Sequence, residues 1–224
     1  MNILDFKNQA NKTDCLILGC GPSLNDFSEE KLRAVSKDKT VFAIKQAFLR
    51  VPDLIDFHFV NDNNYQPYEY TGNTCVLSEL PRNSISGEII ERSHYTFLVS
   101  QNWDYFKSLS YLLNFDDWII EKSPIERPWG PGIMYELVFF FAHLLGCKRL
   151  YTIGWDLGPP EEKTRRHYYE HKVINPAAQM SPDESKNEVN LTRAFWVWLE
   201  SQGIELYVGS NNSFVHEDVP RIQL

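Results

Sequence analysis

Residues 16–27 read LILGCGPSLNDF, an apolar run that breaks at Gly19 and Gly21, passes through Pro22 and Ser23, and then turns polar. An apolar run that ends in Gly-x-Gly predicts a buried strand followed by a tight turn. The glycines would let a ligand approach the backbone, and a segment opened by Pro22 and Ser23 would present free N–H groups. The residues alone fit a phosphate-binding turn and a purely structural corner equally well.

This turn differs from two common nucleotide motifs. Leu24 occupies the position of the third glycine in G-x-G-x-x-G, and no Gly-Lys-Ser or Gly-Lys-Thr follows. The stretch is therefore neither the dinucleotide fingerprint nor a Walker loop.

Short apolar runs alternate with amphipathic stretches along the rest of the chain. The helical candidates begin at Ser28, which precedes two acidic residues, or end at Gly146 and Gly203. This alternation predicts a mostly parallel sheet with helices on both faces, whose ligands collect at the carboxyl ends of the strands. The predicted strands are 14–19, 40–45, 56–60, 74–78, 95–99, 148–155 and 204–209, and the predicted helices are 28–38, 132–146 and 181–203.

Composition limits the classes of function. The chain has 224 residues, which we interpret as one domain over 1–224, and a formal net charge of −8, which argues against sequence-independent binding to nucleic acid. Four separated cysteines without a Cys-x-x-Cys pair predict free thiols in a reducing cytoplasm. No secretory signal is visible, and the longest apolar stretch, 136–146, is about half the length of a membrane-spanning helix.

Polar side chains follow several predicted strands. Gln46 follows the second strand, Asn61 ends the third in VNDNN, and Asp156 follows the sixth. Amides that both donate and accept hydrogen bonds suit a ribose or a pyrimidine edge, whereas an Asx-rich turn is the structural alternative for 61–64.

A second glycine-rich stretch precedes the apolar helix. Gly130, Pro131 and Gly132 could add backbone donors facing those of the first turn, or could simply start the helix.

The segment after Asp156 is rich in proline and charge, and we predict a lid over about 157–185. A histidine there could act as a general base, and Arg or Tyr side chains could stabilise a leaving phosphate. Its candidates are Arg165, Arg166, His167, Tyr168, Tyr169 and His171.

In order along the chain, these segments resemble the bacterial sialyltransferases that decorate lipooligosaccharide and related transferases of keto-sugar acids. The resemblance covers most of residues 13–210 and depends on the order of the motifs. The matching stretches are GCGPSL (19–24), KQ (45–46), FVN ending at Asn61, GPGIMYELVFFFAHLLG (130–146), IGWDL (153–157) and HYYEH (167–171).

The resemblance implies a single Rossmann-like, doubly wound α/β sheet, a GT-A-like variant, with a lid. It also implies a metal-independent glycosyltransferase without a cofactor that moves sialic acid or a related keto-sugar acid, such as Kdo, from a CMP-sugar donor to a glycan of a cell-surface polysaccharide or lipopolysaccharide. Such an enzyme would be cytoplasmic, at the inner face of the membrane if its acceptor is lipid-linked, and compatible with a homo-oligomer.

The family's site residues map onto this chain one by one. The nucleotide-binding set, which combines the family positions with the strand-end candidates, is Gly19, Gly21, Pro22, Ser23, Gln46, Asn61, Gly130, Pro131, Gly132 and Asp156. His171 corresponds to the catalytic base, and Tyr168 and Tyr169 to phosphate contacts. Lys45 stands where the family has Asn, and His167 or Glu184 are alternative bases.

Two other functions remain open. A pterin pyrophosphokinase-like enzyme shares the glycine-rich start and would use ATP and Mg²⁺, for which Asp62 and Asp156 are available. The other hypothesis is a nucleotide-binding module without catalytic activity. If the chain is a glycosyltransferase, its anionic donor would suit a contact with Arg127, Arg165 or Arg166.

Overall fold

A computed structural model of the protein describes residues 3–61, 73–80, 95–100, 114–124, 126–127, 132–157 and 182–224. These ranges contain a single parallel sheet. Its strands are β1 (Asp14–Leu18), β2 (Thr40–Ile44), β3 (Phe57–Asn61), β4 (Asn73–Leu80), β5 (Tyr95–Ser100), β6 (Glu126–Arg127), β7 (Arg149–Ile153) and β8 (Glu205–Val208).

The strand order is β6-β5-β4-β3-β2-β1-β7-β8, and each strand pairs in parallel with its neighbours. The chain starts at β1, proceeds outward on one side through β6, and then returns to place β7 on the other side of β1. The predicted Rossmann-like, doubly wound α/β fold is confirmed. Its topological switch point, where ligands bind in such sheets, lies between β1 and β7.

Three α-helices flank the sheet in the described ranges: α1 (Glu29–Ser36), α2 (Phe139–Leu145) and α3 (Pro182–Ser201). Ser28 caps α1 as predicted, since its Oγ accepts from the Lys31 N–H at 3.1 Å. Gly146 ends α2 in the left-handed conformation, at φ 86°. The first turn of the predicted apolar helix is instead a π-helix, Met134–Val138, which the sequence did not indicate.

The core lies on both faces of the sheet because the inner strands are apolar on both sides. In β1, Cys15 and Ile17 join the cluster that contains α2 and α3, whereas Leu16 and Leu18 join the cluster beneath α1. This double burial fixes the position of β1, and therefore of the glycine-rich turn that follows it.

Cys15, Cys20 and Cys147 are buried free thiols. Within the described ranges, we find no helix that combines the length and the apolar character needed to cross a bilayer.

Candidate functional site

The turns after β1 and β7 lie side by side at the switch point. Gly19 N–H donates to the Ile153 carbonyl at 2.7 Å, and Gly21 N–H donates to the Gly154 carbonyl at 2.8 Å. The parallel pairing of β1 with β7 therefore continues beyond the strands and joins the two turns.

The glycines in these turns are required by the contact between the two backbones. A Cβ on Gly19 would lie 2.5 Å from the Gly154 oxygen, and one on Gly21 would lie 2.6 Å from the same oxygen. Gly154 has φ +77°, and a Cβ there would lie 2.4 Å from the Gly19 oxygen. Close packing of two turns thus accounts for these glycines, where the sequence had suggested close approach of a ligand.

Asp156 closes the turn after β1. Its Oδ2 accepts from the Ser23 backbone N–H at 2.6 Å, and its Oδ1 accepts from the Ser23 hydroxyl at 2.5 Å. Burial raises the pKa of Asp156, although the two bonds from Ser23 act in the opposite direction. The expectation of a free N–H at Ser23 is therefore wrong, because the Asp156 carboxylate already occupies that donor.

The segment after β8 donates hydrogen bonds to the backbone of Trp155 and Asp156. The Phe214 N–H donates to the Asp156 carbonyl at 2.6 Å, and the Ser213 hydroxyl donates to the Trp155 carbonyl at 2.6 Å. A cavity of about 160 Å³ beside this segment is lined by polar residues that include Lys31, Asn211 and Asn212. It is smaller than typical small-molecule pockets.

The end of β2 lies next to the middle of the glycine-rich turn. Leu18 pairs with Ala43, so Cys20 lies beside Lys45, and the Cys20 thiol donates to the Ile44 carbonyl at 3.1 Å. The same thiol lies 3.9 Å from Gln46 Oε1. Gln46 therefore lies next to the glycine-rich turn, and its contact with a nucleotide stays a prediction.

Lys45 has an unusual backbone, with φ +47° in the left-handed region, which is uncommon for a residue other than glycine. Its carbonyl accepts from His58 Nε2 at 2.8 Å. His58 is fully buried and stacks on Phe48 with 4.6 Å between ring centroids, and burial lowers its pKa to about 4. A neutral imidazole therefore holds the Lys45 backbone in place.

Two charged residues, Arg127 and Glu136, are buried near the start of the apolar helix. Arg127 is fully buried and donates to the carbonyls of Glu136, at 2.7 Å, and Trp118. Burial lowers the pKa of Arg127 to about 9, and the Glu136 charge opposes that shift. Because its guanidinium binds backbone carbonyls in the core, Arg127 does not face an open donor site as the sequence had allowed.

The other predicted site residues are only partly described. Gly132 has φ +137° and its carbonyl accepts from the N–H groups of Tyr135 and Glu136, so it starts the π-helix. Asn61 ends β3 and pairs in register with Leu77. The candidates that lie outside the described residues are Asp62, Gly130, Pro131, Arg165, Arg166, His167, Tyr168, Tyr169 and His171, and those identifications stay predictions.

Sequence reasoning missed several residues in this region. His58 and Glu136 each stand as one polar residue in an apolar run, a pattern with no specific functional meaning. In the ranges that the structure describes, no cluster of three or more His, Cys, Asp or Glu side chains could hold a metal ion.

Comparison with known proteins gives structural likeness only. No family model matches the chain, and no curated protein matches it in sequence. Its fold is similar to that of the MAf glycosyltransferase from Magnetospirillum magneticum AMB-1, with a TM-score of 0.56 and 14% identity. That match covers all of this chain and 37% of the other, so the chain spans well under half of that protein's length.

Two structures of a mammalian sialyltransferase, one in complex with Gal-beta-1-3GalNAc-ortho-nitrophenol, are more distant. Their TM-scores are 0.44 and 0.42, at 13% and 11% identity. Each match covers 86% of this chain and 68% of the other. The similarity to the MAf glycosyltransferase therefore concerns the fold alone.

Proposed function

We propose that this chain is a glycosyltransferase that uses a CMP-linked keto-sugar acid, sialic acid or a relative such as Kdo, as donor, needs no metal ion, and glycosylates a glycan of a cell-surface polysaccharide or lipopolysaccharide. The observation that carries the proposal is the paired turn at the switch point, Gly19–Ser23 against Gly154–Asp156, in a sheet with the fold of a glycosyltransferase. Ligands of open parallel sheets bind at this crevice.

The nucleotide would lie along the carboxyl edge of the sheet. The Gly19–Ser23 turn, in which Pro22 is partly exposed, borders this edge together with the amide of Gln46 and the residues at the end of β3, and Gly132 precedes the helix that starts there. Because the Ser23 donors are bound by Asp156, we assign Ser23 and Asp156 to shaping the site and not to direct contact with a phosphate.

The proposed reaction is a direct displacement. The acceptor hydroxyl oxygen attacks the anomeric carbon, the bond from that carbon to the phosphate oxygen breaks, and CMP leaves with the bonding electrons. A base takes the hydroxyl proton, and we propose His171 for this role, with His167 as the alternative. Tyr168 and Tyr169 would donate hydrogen bonds to the leaving phosphate, in place of a metal ion.

The pyrophosphokinase alternative gains no support from the described contacts. It would use Asp156 as a Mg²⁺ ligand, but both carboxylate oxygens of Asp156 already accept hydrogen bonds from Ser23. These two charge-assisted bonds orient Asp156 toward the turn that it holds, and each of its oxygens keeps one lone pair for another ligand.

A transfer assay tests the proposed base. Release of CMP from CMP-sialic acid and CMP-Kdo is measured with galactose-terminated and lipopolysaccharide-core acceptors. We expect His171→Ala to lower the turnover rate by at least about a hundredfold and to leave CMP affinity unchanged, since general base catalysis contributes on that order. His216→Ala is the matched control, because His216 lies beyond β8 and its backbone is bound by Thr192.

Full turnover by His171→Ala, with loss of turnover in His167→Ala, would assign the base to His167. Full turnover in both variants would contradict a lid histidine as the base.

A further inference from the structure

The end of β2 carries the positive charge of Lys45, for which the described residues supply no hydrogen-bond acceptor. We propose that Lys45 is the cationic contact for the phosphate group of the donor. This inference rests on the proposed function for the identity of the nucleotide, but not for the charge of the bound group.

The position of Lys45 is fixed by its backbone. It directly follows β2, the Cys20 thiol donates to the carbonyl of the preceding residue, Ile44, and the Lys45 carbonyl accepts from buried His58 at 2.8 Å. Its φ of +47° is a costly conformation for a side chain with a Cβ. Strain of this kind persists only where the surrounding structure holds the residue in place, and Lys45 is held at the carboxyl end of β2.

The charges around Lys45 are unbalanced. Glu136 is 4% exposed and is the carboxylate that acts on both Lys45 and Arg127. The Arg127 guanidinium donates to the carbonyls of Glu136, Ser123 and Trp118, and the Lys45 ammonium makes no hydrogen bond to a described residue. Within the part of the chain that the structure describes, two cations therefore share one carboxylate at this corner.

An unneutralised ammonium in a partly buried place is unfavourable, and burial accordingly lowers the pKa of Lys45. A bound phosphate would supply the missing negative charge. The other expected donor at this edge, the Ser23 N–H, is bound by Asp156, so the ammonium one strand away is the described group suited to this role.

The test is calorimetric titration of CMP and of cytidine, at fixed ionic strength, into the wild-type chain and Lys45→Gln. We expect Lys45→Gln to weaken CMP binding about tenfold to a hundredfold, the range for hydrogen bonds to charged groups, and to change cytidine binding less than about twofold. Lys37→Gln is the matched control, because it removes one exposed positive charge at the opposite end of β2. It should leave both affinities unchanged.

A purely structural role would give another result. If Lys45 only neutralises Glu136, Lys45→Gln would lower the unfolding midpoint of the free protein and leave the ratio of CMP to cytidine affinity unchanged. That result would overturn the inference. If Lys45→Gln fails to fold, Lys45→Asn replaces it, because Asn tolerates a left-handed backbone and is also neutral.

The inference and the proposed function can fail separately. Wild-type protein that binds CMP no better than cytidine, or a Lys45→Gln variant with the wild-type preference, overturns the role of Lys45 and leaves the CMP donor standing. If the wild type binds no cytidine compound, inorganic pyrophosphate is the probe. Pyrophosphate binding that is lost in Lys45→Gln would then support the role of Lys45 and reject a CMP donor. If pyrophosphate does not bind, or binds equally well to Lys45→Gln, both the role of Lys45 and the CMP donor are rejected.

Discussion

The ends of β1 and β2 are neighbours built in opposite ways. After β1, the glycine-rich turn is bound on all sides by the protein: its backbone packs on Gly154, and its Ser23 donors bind Asp156. After β2, Lys45 has a strained backbone and an ammonium with no described hydrogen-bond partner. Under the proposed function, the glycine-rich motif would shape the site, and the neighbouring strand would supply its positive charge.

The largest expected effect tests the packing of the β1 turn. Gly154→Ala combines φ +77° with a Cβ at 2.4 Å from the Gly19 oxygen, so we expect a loss of about 4 kcal/mol in the free energy of unfolding. Gly203→Ala is the matched control, since Gly203 has φ +71° with no atom within 4 Å of a Cβ. It should cost about 1 kcal/mol. Similar losses in urea unfolding would contradict a special role for the contact.

The next effect tests the support under Lys45. The folded pKa of His58 is about 4, below the value near 6.5 of an unfolded histidine, so the unfolded chain binds the proton first as pH falls. The neutral His58 therefore contributes about 3 kcal/mol to the free energy of unfolding above about pH 6.5, and this contribution is lost as the pH falls toward 4.

Urea unfolding at several pH values measures this slope. His58→Gln should unfold with a smaller loss between pH 6.5 and pH 4 than the wild type, whereas His216→Gln, a partly buried control beyond β8, should keep the wild-type slope. Identical slopes in wild type and His58→Gln would show that His58 is not the titrating group.

The smallest of these effects tests the closure of the β1 turn. Asp156→Asn replaces one acceptor oxygen by an NH₂ group that faces a Ser23 donor, and we expect a loss of about 2 kcal/mol. Asp26→Asn is the control, since Asp26 is exposed three residues beyond Ser23 and its side chain makes no hydrogen bond to a described residue that closes the turn, and it should change stability by less than about 0.5 kcal/mol. A neutral result for Asp156→Asn in thermal or urea unfolding would mean that the carboxylate does not hold the turn.

The sequence predicted what depends on local patterns. Alternation of apolar runs gave the parallel sheet, and the residues flanking helices gave Ser28 as an N-cap and Gly146 as a C-cap. These features follow from periodicity and backbone conformation within a few residues.

The sequence could not predict contacts between distant segments. Ser23 and Asp156 are 133 residues apart, and only the pairing of β1 with β7 brings them together. The burial of Arg127 and the left-handed backbone of Lys45 likewise depend on packing across the sheet edge. The structure thus brings the glycine-rich turn, Gln46 and Asp156 together at one edge of the sheet, the expectation for the Ser23 donor is wrong, and binding of a nucleotide at this edge stays a prediction.

The most direct test of the central claim is a ranking of nucleotides by thermal shift with CMP, CDP, GDP, UDP and ATP, each with Mg²⁺ and with EDTA. We expect CMP to stabilise the protein more than UDP or GDP, and EDTA to leave this shift unchanged. Stabilisation by ATP with Mg²⁺, lost in EDTA, together with no shift from CMP, would contradict the central claim.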